Sequence, residues 1–233
     1  MKYRKKNPKA IIAIFFSLFV LLSIRNNISS NTNKPKNDNF TESINTEDFT
    51  TFTDWCLNKH ELVQSTENTI DKLLNEVDTT DCSLAEKRLL NLSYVVFYGE
   101  NGESLDLRPF NSLTHFTSIS ISAGNISDIT PLKSSKGLKR LDLGGNKISD
   151  IHTLQYLTNL EELKLGQNDI YDISPIAFLS QLEELILSGN NISDISSLEN
   201  LNNLDKVYLN DNQIKDESCP VKPEKTCVFF LRN

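Results

Sequence analysis

The sequence predicts an α/β solenoid, a chain wound into coils around one continuous core with a concave parallel β-sheet. Three observations predict it. Segments beginning at Leu138, Leu160, Leu182 and Leu204 superpose with a period of 22 residues as LKRLDLGGNKISDI, LEELKLGQNDIYDI, LEELILSGNNISDI and LDKVYLNDNQIKDE. The return half of each unit is too short for a full α-helix, and Pro109, Pro131 and Pro175 fall within it. The flanks on either side leave the period, and each contains a pair of cysteines.

In chain order, Lys2, Arg4, Lys5, Lys6 and Lys9 precede an uncharged, largely apolar run from Ala10 to Ile24. A basic start before an apolar run of this length has the shape of a secretory leader. No small-residue cleavage site is evident, so residues 1–25 read as a signal peptide or a retained signal anchor. Either form places the rest of the chain outside the membrane. The expectation is an exported protein, periplasmic, extracellular or anchored through this segment alone. Residues 26–48 are rich in Asn, Ser, Thr and Lys and read as a disordered linker. No wall-binding tail is visible at the other end, so the expected unit is a recognition module with its tether.

Residues 49–91 read as a helical N-terminal cap. Ile70, Leu73, Leu74 and Val77 form an i, i+3, i+4, i+7 stripe. Ser83 and Glu86 have the spacing of a capping box that opens a short helix through Leu89 and Leu90. Trp55, the only tryptophan, is expected to fill the junction with the first coil.

Residues 92–225 read as six coils. The template L-x-x-L-x-L-x-x-N-x-I-x-D-I is the signature of a leucine-rich repeat. Upstream, Phe116, Ile119, Ile121, Ile126 and Ile129 fit it, with Gly124 in place of the asparagine. Leu92, Val95 and Phe97 begin the first coil, which is 24 residues long because YGENGES carries an insertion. Alternation within L-x-x-L-x-L buries the leucines and turns the intervening side chains outward. Asn146, Asn168, Asn190 and Asn212 recur where the chain turns inward, and are expected to bond backbone groups of adjacent coils. The returns should be extended or 3₁₀, with Asp128, Asp150, Asp172 and Asp194 capping them rather than binding calcium. Residues 226–233 read as a C-terminal cap strand. Cys56 with Cys82, and Cys219 with Cys227, are expected as disulfides, since this pairing alone avoids linking the two ends of a rigid solenoid.

The 22-residue period and the ISDI runs at 126–129, 148–151 and 192–195 resemble the internalin-type leucine-rich repeats of bacterial surface and secreted proteins. That resemblance implies a horseshoe fold that binds proteins through its concave face. No partner-defining motif transfers residue by residue.

Nothing in the residue pattern supports an enzyme, a metal site or a cofactor. His60, His115 and His152 share no face, and Gly144 and Gly145 belong to a repeat turn rather than a phosphate loop. The chain carries a net charge of −7, and the six basic side chains within residues 1–25 leave the remainder more acidic still. Nucleic acid is therefore disfavoured as a partner, and the membrane enters only through a retained leader. The register places Tyr94, Tyr98, Arg140, Glu161, Glu162, Glu183, Glu184, Ile186 and Tyr208 on the concave face as contact candidates for a protein ligand. Among them are a tyrosine patch around Val96 and a cluster of four glutamates. The alternative function is an envelope assembly protein that uses the solenoid as a rigid spacer.

Overall fold

The computed structural model describes residues 44–100, 102–216, 218–222 and 227–229. The proposed leader and most of the linker therefore lie outside the described residues. Among those described, seven strands form one parallel sheet in chain order: β1 (Tyr94–Tyr98), β2 (Ser118–Ser122), β3 (Arg140–Asp142), β4 (Glu162–Lys164), β5 (Glu184–Ile186), β6 (Lys206–Tyr208) and β7 (Cys227–Val228). Register follows the repeat directly. Val95 pairs with Ile119 after 24 residues, as the insertion in the first coil requires. Ile119, Leu141, Leu163, Leu185 and Val207 then align at 22-residue steps. The last step is 20 residues, from Val207 to Cys227.

The inward residues of these strands are buried, with Leu141, Leu163, Leu165, Leu185 and Leu187 at most 1% exposed. Their neighbours in sequence point the other way, so the same short strands make both the core and the outward face. In the first coils phenylalanines replace leucines, and Phe97, Phe110 and Phe116 form a chain of ring contacts.

The asparagines form the expected ladder. Asn168 donates to the carbonyls of Leu165 in its own coil and Leu143 in the coil before, each at 3.0 Å, and accepts from the Ile148 amide at 3.0 Å. Asn146, Asn190 and Asn212 repeat the pattern with Ile121 and Leu143, Leu165 and Leu187, and Leu187 and Leu209. Each amide therefore closes its own turn and ties it to the preceding coil. Gly124 lacks that side chain, and its own amide is the donor to Asn146, at 3.0 Å. The residue before each of these positions is left-handed in five successive coils: Ala123, Gly145, Gln167, Gly189 and Asp211 have φ between 53° and 69°. Only two are glycines, so the ladder holds three ordinary residues in a conformation that costs about 1–2 kcal/mol each.

The returns are short 3₁₀ segments at Arg108–Ser112, Thr130–Ser134, His152–Tyr156, Ser174–Phe178 and Ser196–Leu198, with Pro109, Pro131 and Pro175 in their first turns. Leu113, Leu157, Leu179 and Leu201 close four of these returns at the same template position, all buried. Ser135 takes that place in the remaining coil, fully buried, with a hydroxyl that bonds nothing.

The N-terminal cap contains three α-helices, α1 (Phe52–Leu57), α2 (Gln64–Glu76) and α3 (Cys82–Leu89). Ile70, Leu73, Leu74 and Val77 are buried as a stripe, and Trp55 is buried edge-on against Phe49 at 5.0 Å. The capping box differs from the expected one. Asp81 caps α3 by accepting from the Leu84 amide at 2.9 Å. Glu86 reaches instead to the amide and hydroxyl of Thr53 in α1. The box itself lies at Thr51 and Asp54, opening α1. Within the proposed linker, Thr46–Asp48 form a 3₁₀ turn capped by Asn45, and Phe49 packs against the core. Buried Thr66 and Thr69 of α2 bond to Asp106, and Arg108 bonds to both Asp106 and Thr66, joining the cap to the first return. Both disulfides join the expected partners, Cys56 to Cys82 and Cys219 to Cys227.

Two stability predictions follow from this packing. Asn168→Ala strands the buried Ile148 amide and leaves the Leu143 and Leu165 carbonyls with one ladder donor each, and should lower unfolding stability by roughly 1–3 kcal/mol in urea titrations. Asn212→Ala should cost visibly less, because that turn is only half-buried. Ser135→Ala removes a buried hydroxyl without a partner and should raise stability by about 1 kcal/mol.

Candidate binding face

The outward side chains of the sheet stand in rows fixed by the strand register. Tyr94, Ser118, Arg140, Glu162, Glu184 and Lys206 make one row, and Val96, Ser120, Asp142, Lys164, Ile186 and Tyr208 the next. Tyr94, Val96 and Tyr98 are 54%, 51% and 64% exposed, an apolar strip along the edge strand where most of the sheet carries charge. Two strands away, Arg140, Glu161, Glu162, Glu183 and Glu184 meet Asp205 and Lys206 around a shallow depression of about 290 Å³. Ile186 and Tyr208 lie in the row beyond it. The candidate residues thus divide into the tyrosine strip on β1 and a charged centre on β3 to β6.

The four glutamates are not equivalent. Glu161 is paired with Lys139 at 2.7 Å, and Glu162 with Lys164. The Glu162 carboxylate raises the Lys164 pKa above that of an ordinary lysine, helped by the charges of Glu184 and Asp142. Asp142 accepts from the Gly144 amide at 3.0 Å. Among the described residues, Arg140, Glu183, Glu184, Asp205 and Lys206 form no ion pair within 4 Å. The acidic centre left open for a partner is therefore Glu183, Glu184 and Asp205, with one cation on either side. A signal for this was present in the sequence. Lys164 is two residues from Glu162 on one strand face, and Lys139 is one period before Glu161.

Sequence reasoning missed a second feature. Beyond the charged rows, Ser122, Gly144, Gly166 and Ser188 follow one another at the same template position, and a groove of about 460 Å³ opens over them. Gly144 reads in sequence as a turn residue, and the stacking of coils sets it beside Gly166 as a floor.

On the opposite side, Asp128, Asp150, Asp172 and Asp194 each accept a hydrogen bond from the amide two residues later, at 2.8–2.9 Å. They cap the 3₁₀ returns. The Asp150, Asp172 and Asp194 carboxyls are held below the ordinary carboxylate value, first by that backbone amide and then by the side chain of His152, Ser174 or Ser196. Among the described residues, no three His, Cys, Asp or Glu side chains are grouped to hold a metal ion. No described helix is long and apolar enough to cross a membrane.

The period, the ladder and the single stacked sheet define a class, the leucine-rich repeat proteins. The leucine rich repeat family model matches residues 114–170 and 158–214. Among solved structures, an internalin from Listeria monocytogenes is 35% identical over 56% of this chain, with a TM-score of 0.52, and this chain spans only 38% of its length. Internalin C2 of the same organism is 24% identical over 70% of this chain and 91% of its own, with a TM-score of 0.50. A leucine-rich repeat protein of Leptospira interrogans is 22% identical over 61% of this chain and 37% of its own, with a TM-score of 0.52. The last two likenesses concern the fold alone. A comparison with curated proteins gave no match. The chain has the leucine-rich repeat fold, and its repeats resemble those of the internalins.

The convex caps give a pH prediction. A carboxyl whose folded pKa is depressed adds stability above its ordinary value of 3.8, and that stability disappears as pH falls through the folded pKa. Asp172→Asn keeps a capping oxygen but no charge. Its stability deficit against the native chain should be constant near neutral pH and should shrink below pH 3.8, as read by urea unfolding across the acid range.

Proposed function

We propose that this protein is an exported recognition module that binds another protein through the concave face of its sheet. The carrying observation is the face itself. Tyr94, Val96 and Tyr98 stand exposed on β1, and further across the same sheet lies an acidic centre where Glu183, Glu184 and Asp205 form no ion pair within 4 Å among the described residues. Large exposed aromatic side chains serve as anchors in protein interfaces, and unpaired charge selects a complementary surface. Leucine-rich repeat proteins typically act as protein-interaction modules. Export is supported by the internalin-like neighbours, by two disulfides stapling the ends of the solenoid, and by the basic-then-apolar start of the sequence.

A cross-linked pull-down with the full oxidised chain tests this, run beside a Tyr94→Ala/Glu183→Lys bait. Both positions are exposed, so the thermal midpoint of the variant should match that of the native chain to within a few degrees. Proteins captured by the native bait and lost with the variant are the expected result. Identical captures from the two baits would sink the concave-face reading.

A further inference from the structure

The groove over Gly144 and Gly166 is open for a reason other than backbone need. Gly144 does not occupy the left-handed region, and a side chain built there meets only Asp142 Oδ1 at 3.4 Å and the Gly166 carbonyl at 3.5 Å. Other coils place Ser122, Ser188 and Asn210 at this template position without distortion. A small residue would therefore fit at Gly144, whereas at Gly166 a Cβ would come within 3.3 Å of the Ser188 carbonyl, and together the two glycines leave empty space. The walls are largely carbon, from Ala123, Ile186 and the stems of Lys164 and Gln167. Ile186 Cγ2 comes within 3.4 Å of where a Gly166 side chain would begin.

The neighbouring depression says what could fill that space. Groove and depression meet along β5, where Ile186 lines one and Glu184 the other. Two residues on one face of a strand are separated by roughly 7 Å. The same distance separates alternate side chains of an extended peptide lying along the strand. Among the described residues Glu183 and Glu184 form no ion pair within 4 Å, although the Glu184 charge acts on Lys164, whereas Glu161 and Glu162 have their own lysines. The vacant charge is thus next to the groove.

Building on the concave-face reading, we propose that the groove seats one apolar side chain of an extended protein segment, and that a Lys or Arg two residues away reaches Glu184 and Glu183. Apolar filling supplies contact area, and the charge pair sets the register of the segment along β5.

The probe is a phage-displayed library of random peptides panned on the full oxidised chain. Enriched sequences should hold Lys or Arg two residues from an apolar side chain. In fluorescence anisotropy, Gly144→Leu and Glu184→Lys should each weaken the selected peptides tenfold or more with the thermal midpoint unchanged, while Gly144→Ser leaves affinity within about twofold. Enriched peptides without a basic residue, or the absence of any enrichment, would overturn the inference. Peptides that lose affinity with Tyr94→Ala/Tyr98→Ala but tolerate Gly144→Leu and Glu184→Lys would overturn it while leaving the concave-face reading intact. Peptides indifferent to every one of these variants would count against both.

Discussion

The structure depends on the asparagine ladder. Where each strand ends, the chain must turn into the core, taking its peptide groups away from water. Unpaired, such groups would cost about 1–3 kcal/mol each. Asn146, Asn168, Asn190 and Asn212 each donate twice and accept from a backbone amide, and they link carbonyls of two successive coils. The same side chain therefore solves a local problem and stacks the coils. The residue before it is left-handed, and Gln167 and Asp211 adopt that conformation without being glycine.

Stacking in turn decides what the outer face can be. With register tied at every turn, side chains one period apart line up in rows, and chemistry unrelated in sequence becomes adjacent. Lys139 comes to Glu161, leaving Glu183 without such a partner. Two glycines of ordinary backbone conformation become a groove beside unpaired carboxylates. The face is rigid for the same reason that the core is satisfied, and a partner would meet it already ordered, with little side-chain freedom left to lose in the paired lysines and glutamates.

A stack of coils exposes an apolar cross-section at each end, and the two ends are closed by different means. Three helices cover the first coil, with Trp55 and Phe52 buried and a Thr66–Asp106–Arg108 network joining cap to return. At the far end β7 adds two residues to the sheet, and a disulfide from Cys219 to Cys227 closes the shortened last turn. Small and irregular closures of this kind bury little surface, so a covalent link contributes a larger share of their order.

By itself the sequence determined the solenoid, the strand register, the ladder asparagines, the 3₁₀ returns and both cysteine pairs. All of these follow from one repeated pattern of apolar and amide positions, whose meaning is local to a coil and its neighbour. The helix starts in the N-terminal cap were less legible. Asp81 rather than Ser83 caps α3, because the partner of Glu86 is Thr53, thirty-three residues away. Sequence spacing places Lys139 by Glu161 and Lys164 by Glu162, and only the tertiary structure decided that these pairs close within 4 Å and where Gly144 and Gly166 leave room. Those properties belong to the distances between coils, and a repeat template records which residue faces outward but not what stands beside it.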